Sequence, residues 1–160
     1  SGNWSKPSSI ADGDWVIFHL ISGGGSGNSG GYASGGKGGA LALAVKGAHI
    51  PSTISFVIGA GGPANGYGFY ANAGSTSTIT IDGKTFTSGG GGGASYYNTP
   101  GGHGSGVVAW PGGSSPYTLL TVDDVRGGGP IGGGTSASGY RGNGGGHATA
   151  GTAGGLRIHY

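Results

Sequence analysis

Residues 87–106, TSGGGGGASYYNTPGGHGSG, lead from five consecutive glycines through Ala94 and Ser95 into a pair of tyrosines. Glycine supplies 45 of the 160 residues, with runs at 23–25, 89–93, 127–129, 132–134 and 144–146. No other feature limits the fold as much. In regular structure each glycine costs roughly 0.5–1 kcal/mol more backbone entropy than alanine, so the chain total is on the order of tens of kcal/mol. Leu, Ile, Val and Phe together number only 27, too small a core to offset that alone. Either the chain is disordered, or glycine stands where only glycine fits and backbone packs on backbone.

Clustering of the apolar residues favours order. DWVIFHLIS (14–22), ALALAVK (40–46), STISFVIG (52–59), STITID (77–82), KTFT (84–87), SGVVAW (105–110), YTLLTV (117–122) and GLRIHY (155–160) have strand length. They are rich in β-branched and aromatic residues and bounded by Gly, Pro, Ser or Asn. Asp82-Gly83 between two alternating segments predicts a hairpin with a two-residue turn. No window sustains helical periodicity. The expectation is one all-β domain over residues 1–160, with no α-helix and with residues 1–10 as a lead-in.

A buried glycine run cannot leave its amides unpaired. Threefold polyproline II-like helices have no internal hydrogen bonds, but laid side by side they can bond to one another, and glycine permits the approach. The runs are therefore expected to form a lattice of polyglycine II helices on a small β core, joined by surface loops. Collagen is excluded, because glycine does not recur at every third residue.

Chemistry-bearing motifs are weak. GYASGGKG (31–38) has the glycines and Lys37 of a phosphate loop, but Gly38 replaces the Ser or Thr that would hold magnesium. GNSGG (27–31) fits a nucleophile-elbow pattern at Ser29, a match that arises by chance at this glycine content. The chain has no glutamate; its aspartates are Asp12, Asp14, Asp82, Asp123 and Asp124, and nothing gives any two of them different environments. His19, His49, His103, His147 and His159 lack metal-ligand spacing. A net charge of +2 with 8% charged residues is too little for a nucleic-acid footprint, despite VRGGG (125–129) and YRGNGGG (140–146). No apolar stretch reaches membrane-spanning length. The expectation is a non-enzyme without metal, cofactor, nucleic-acid partner or membrane insertion. With no methionine, the chain reads as a fragment of something longer.

The order of segments carries a resemblance. GNWSKPSSIADGDWVIFHLISGGGSGNSGG (2–31) has Gly2, Trp4, Lys6 and Pro7, then an apolar strand running into glycines. HIPSTISFVIGAGGP (49–63) follows, then GSTSTITIDGKTFTSGGGGG (74–93) and the closing TAGGLRIHY (152–160). In this order the segments resemble the glycine-rich domain at the ends of bacteriophage tail-fibre proteins, over nearly the whole chain. The stretch 63–76 is less glycine-rich than that family's pattern.

The resemblance implies a receptor-binding tip at the distal end of a virion's tail fibre. Its partners would be the rest of the fibre and a bacterial surface receptor, either an outer-membrane protein or lipopolysaccharide. Loops between glycine runs would make the contact. They are PANGYGFYANAGS (63–75), ASYYNTPGGH (94–103), WPGGSSPY (110–117) and TSASGYRGN (135–143). They carry Tyr67, Phe69, Tyr70, Tyr96, Tyr97, Asn98, Trp110, Tyr117, Tyr140 and Arg141. Tyr, Ser, Gly and Asn with occasional Trp and Arg also dominate antibody contact loops and binding hot spots. Trp110 and Tyr117 border strand-like runs, which also suits a core role, and Trp4 and Trp15 suit the core or the fibre junction. The competing expectations are a structural or assembly cap without receptor contact, and ice or mineral binding. The latter would need regular threonine rows. A glycan-cleaving enzyme ranks last for want of a carboxylate pair.

Overall fold

The computed structural model describes residues 1–28, 35–36, 38–64, 71–94, 117–119 (backbone only) and 149–160. Alternation of apolar and polar residues builds two four-stranded antiparallel sheets. One has the order β1 (Gly2–Ser5), β4 (Thr53–Val57), β5 (Ser77–Ile81) and β6 (Lys84–Ser88). In the other, β7 (Tyr117–Leu119), β3 (Ala40–Lys46), β2 (Trp15–Ile21) and β8 (Gly155–His159) lie side by side. No α-helix occurs among the described residues; the one helical element there is a 3-10 turn, Gly47–His49. The all-β expectation holds. Gly2–Ser5, within the stretch read as a lead-in, pairs with Ser5 opposite Thr53 and Gly2 opposite Phe56, so it is an edge strand of the first sheet.

The core lies between the sheets. Val16, Phe18 and Leu20 of β2 and Leu41, Leu43 and Val45 of β3 face Ile54, Ile79, Ile81 and Phe86 across it, all essentially buried. Inward residues recur every second position, as a pleated strand with one covered face requires. Trp4 closes one edge of the core, its ring 5.9 Å from Phe18 in an edge-to-face contact. The Asp82-Gly83 turn has φ of 48° and 72°, the two left-handed residues of a type I′ turn, which matches the twist of the flanking strands.

Each glycine-rich tract among the described residues continues from, or leads into, a strand; the runs at 127–129, 132–134 and 144–146 lie outside the described residues. Tract 22–28 leaves β2, and its amides donate in strict rotation. Ser22, Gly23 and Gly24 bond to the carbonyls of Gly39, Ser75 and Thr152; Gly25, Ser26 and Gly27 bond to Gly36, Asn72 and Thr149. Distances are 2.8–3.1 Å. Every third amide meets the same neighbouring tract, three residues further back along it. In return Gly23, Gly24 and Ser26 accept from the N–H groups of Gly91, Gly62 and Ala94. Tract 22–28 is thus bonded to five others, 35–39, 58–63, 71–76, 88–94 and 149–155. Those five also bond to one another, as from Gly36 N–H to Gly92, Gly74 N–H to Gly91, Ser75 N–H to Ala60 and Gly151 N–H to Gly62.

The close approach explains the composition. A Cβ placed on Gly23, Gly25 or Gly151 would overlap the carbonyl of Ala60, Gly92 or Gly24, respectively. These are backbone atoms, which cannot swing aside as a side chain can. Glycine here is a steric requirement.

Buried serines mark where strands become tracts. Ser22 follows β2, Ser77 opens β5 and Ser88 ends β6, and all three are 0% exposed. Ser77 N–H donates to Ser22 Oγ at 2.7 Å, the hydroxyls of Ser22 and Ser88 lie 2.6 Å apart, and Ser22 Oγ also donates to the Ser88 carbonyl. Ser88 Oγ reaches the Gly39 carbonyl at 2.9 Å, while Ser77 Oγ accepts from Gly59 N–H and donates to the Ile21 carbonyl, both at 2.8 Å. These hydroxyls satisfy backbone groups at the point where ladder pairing stops, so no orphan is buried there.

Candidate functional site

The tracts carry the chain away from the sheets, so the segments joining them depart from the far end. At that end Ser26 N–H donates to Asn72 O, Gly27 N–H to Thr149 O, Ala94 N–H to Ser26 O and Ala71 N–H to Ala94 O. Asn72 Nδ2 adds a bond to Pro63 O at 3.1 Å, and the buried Ser26 hydroxyl accepts from Asn72 N–H at 2.8 Å. Residues bordering four different segments therefore touch or nearly touch: Asn28, Ala64 with Ala71, Ala94, and Thr149. The tracts bring together the roots of loops that are far apart in sequence.

Tyr67, Phe69, Tyr70, Tyr96, Tyr97, Asn98, Trp110, Tyr140 and Arg141 lie outside the described residues. Their anchors do not: Tyr67, Phe69 and Tyr70 fall between Ala64 and Ala71, Tyr96 to Asn98 follow Ala94, and Tyr140 and Arg141 precede Thr149. Tyr117 is different. Its backbone is part of β7, opposite Val45, one residue from the Lys46 end of β3 and hence at the end of the sheet remote from the tract tips. The fold does not bring Tyr117 to the same end as the anchors of the other loops.

At the remote end, Trp15 is 47% and Tyr160 67% exposed. Lys46 Nζ sits 5.1 Å from the Trp15 ring centroid, a cation–π contact at the surface, and Tyr160 leans on Trp4 at 6.2 Å. Trp4 meets the core expectation, packing against the buried cluster, whereas Trp15 stands at the surface.

The described parts of the chemistry-like motifs are already engaged. Gly36, from the phosphate-loop look-alike, donates its N–H to Gly92 and accepts from Gly25 N–H, so that amide is already used within the fold. Asp82 is a turn residue, and Asp14 Oδ2 accepts from Ala11 N–H at 2.8 Å. Ser29, Asp123, Asp124, His103 and His147 lie outside the described residues. Among the described residues no three His, Asp or Glu side chains cluster as metal ligands, and no helix is long and apolar enough to cross a membrane.

Two surface features escaped the sequence argument. Thr78 and Thr80 pair with Thr87 and Thr85 across β5 and β6, with the Thr80 and Thr85 hydroxyls 3.0 Å apart. Threonine ranks do exist here, on a sheet face and only two strands wide; the T-x-T spacing in TIT and TFT was the available signal. Beside them a shallow depression of about 350 Å³ is lined by Asn3, Ser55, Phe56, Val57, Thr78 and Thr80, among others. Among the described residues its lining has no acidic or imidazole side chain.

Comparison with known proteins found no matching family model, no matching curated protein and no matching solved structure.

Proposed function

We propose that this chain is the receptor-binding tip of a bacteriophage tail fibre, in which the bonded tracts are polyglycine II helices forming a stiff lattice. One observation carries the proposal: the anchors of three loops holding Tyr67, Phe69, Tyr70, Tyr96, Tyr97, Asn98, Tyr140 and Arg141 converge at one end of a backbone-bonded tract cluster. Roots held this way lower the entropy lost when aromatic loops engage a partner. Rotation of donors every third residue is what a threefold helix would produce. The receptor would be an outer-membrane protein or lipopolysaccharide on the bacterial surface, and the exposed Trp15 end would face the rest of the fibre.

The test is adsorption of labelled domain to host cells and to mutants lacking long lipopolysaccharide or single outer-membrane proteins. Changing both Tyr96 and Tyr97 to alanine is expected to lower adsorption at least tenfold while leaving Tm unchanged. Normal adsorption by that variant removes its loop from the contact surface. The second reading, a structural cap of the fibre, draws on the exposed Trp15 and Tyr160 at the opposite end. It requires that the wild-type domain bind no cells.

A further inference from the structure

Cross-strand partners share a face of a sheet. In the β2–β8 ladder Ile17 stands opposite His159 and His19 opposite Arg157, and Phe18 and Leu20 point into the core, so His19 and His159 both lie on the outer face as diagonal neighbours. Their ring centroids are 5.1 Å apart with the planes at 76°. An imidazole nitrogen binds zinc at about 2.0–2.1 Å, which puts each ring centroid about 3.2 Å from the ion; two rings subtending a tetrahedral angle are then about 5.2 Å apart. The observed centroid spacing matches that of the chelate, and the terminal ring torsion that aims the nitrogens is a soft one.

We propose that His19 and His159 form a two-histidine site for a nitrogen-preferring divalent transition ion of the zinc or nickel kind, which clamps the C-terminal edge strand β8 to β2. Two strands of a rigid sheet supply one ligand each, and two coordination positions stay open for water or an incoming donor. The donor set decides the selectivity: two imidazole nitrogens favour ions that bond strongly to nitrogen over calcium and magnesium, while the charge of Arg157, in register with His19, weakens the binding of every cation. The site is independent of the receptor-binding proposal.

Titrating the whole chain with Ni²⁺ and Zn²⁺ tests it. Substoichiometric Ni²⁺ is expected to broaden the ring resonances of His19 and His159 ahead of the other three histidines. Zn²⁺ is expected to raise Tm in proportion to the logarithm of its concentration, and Mg²⁺ to do neither. His159→Gln, at an exposed edge position, should abolish both responses while keeping the metal-free Tm within about 1 °C; His19→Gln should abolish them too. Unchanged histidine resonances and Tm in the wild-type chain would overturn the site, as would a response that survives in both single variants.

Discussion

The two halves of this molecule solve the same problem with opposite materials. In the sheets, Phe18, Leu43, Ile79 and their neighbours fill the space between backbones, and side-chain volume sets the spacing. In the tracts backbone packs directly on backbone, with carbonyls such as those of Ala60, Gly92 and Gly24 resting where a neighbouring glycine has no Cβ. A sheet strand pairs with at most two partners, one on each side. Tract 22–28 bonds to neighbours all around it, because its amides rotate through three directions. A chain can thus be rigid with little apolar area if the hydrogen-bonded backbone occupies the interior. The Cα–H groups facing carbonyls add weak bonds of roughly 0.5–1 kcal/mol each.

The contrast can be broken most directly by adding one methyl group to a tract. Gly25→Ala drives a Cβ into the Gly92 carbonyl, and we expect a loss on the order of 4 kcal/mol or failure to fold. Gly13→Ala, where nothing lies within 4 Å of the added atom, should stay within about 0.5 kcal/mol of wild type; urea unfolding of both decides the matter. An equal loss in the two variants would mean that the tracts yield.

Deleting volume from the sheets is the mirror experiment. Phe18→Ala should cost about 3–5 kcal/mol by the same assay. If the tract variant loses as much as this one, backbone contact and side-chain packing are equivalent sources of order.

At the seam between the halves, Ser22→Ala removes the acceptor of Ser77 N–H and the partner of the Ser88 hydroxyl. The expected cost is about 1–3 kcal/mol, that of a buried orphaned donor. Amide exchange at Ser77, measured by NMR, should quicken with it.

The smallest effect is a pH dependence belonging to the sheets. Since His19 has a folded pKa below the ordinary 6.5, the unfolded chain takes up that proton first as pH falls. Stability from this group is complete above pH 6.5 and declines as pH drops through the window beneath it. Melting curves from pH 7.5 to 5 should show this slope, and His19→Gln should flatten it.

How much of this was legible in the sequence differs between the halves. The runs at 14–22, 40–46, 52–59, 77–82, 84–87 and 155–160 coincide with β2 to β6 and β8 within a residue or two, because alternation and β-branching are local signals. Asp82-Gly83 was legible for the same reason. GNWS has a single large apolar residue and no run, so β1 could be found only through its pairing with β4. The roles of Ser22, Ser77 and Ser88 were hidden for another reason: a serine beside a glycine run looks like any loop residue until its partner, up to 66 positions away, is in place. Of the candidate contact residues, the sequence could pick aromatic side chains in glycine-bounded segments. It could not tell that the anchors at Ala64, Ala71, Ala94 and Thr149 meet, whereas the strand at Tyr117 was already legible in the run YTLLTV (117–122).

By itself, the sequence determined that the chain is all-β and that its glycine runs had to be either unstructured or in backbone contact, since composition and two-residue periodicity are properties of the chain alone. Which amide finds which carbonyl was decided only by the tertiary structure. A glycine tract carries no side chains with which to choose a partner, and sliding tract 22–28 by one residue would aim its N–H groups at different neighbouring tracts. The register is instead imposed by the strands at the tract ends, where the same slip would move Phe18 and Leu20 out of the core.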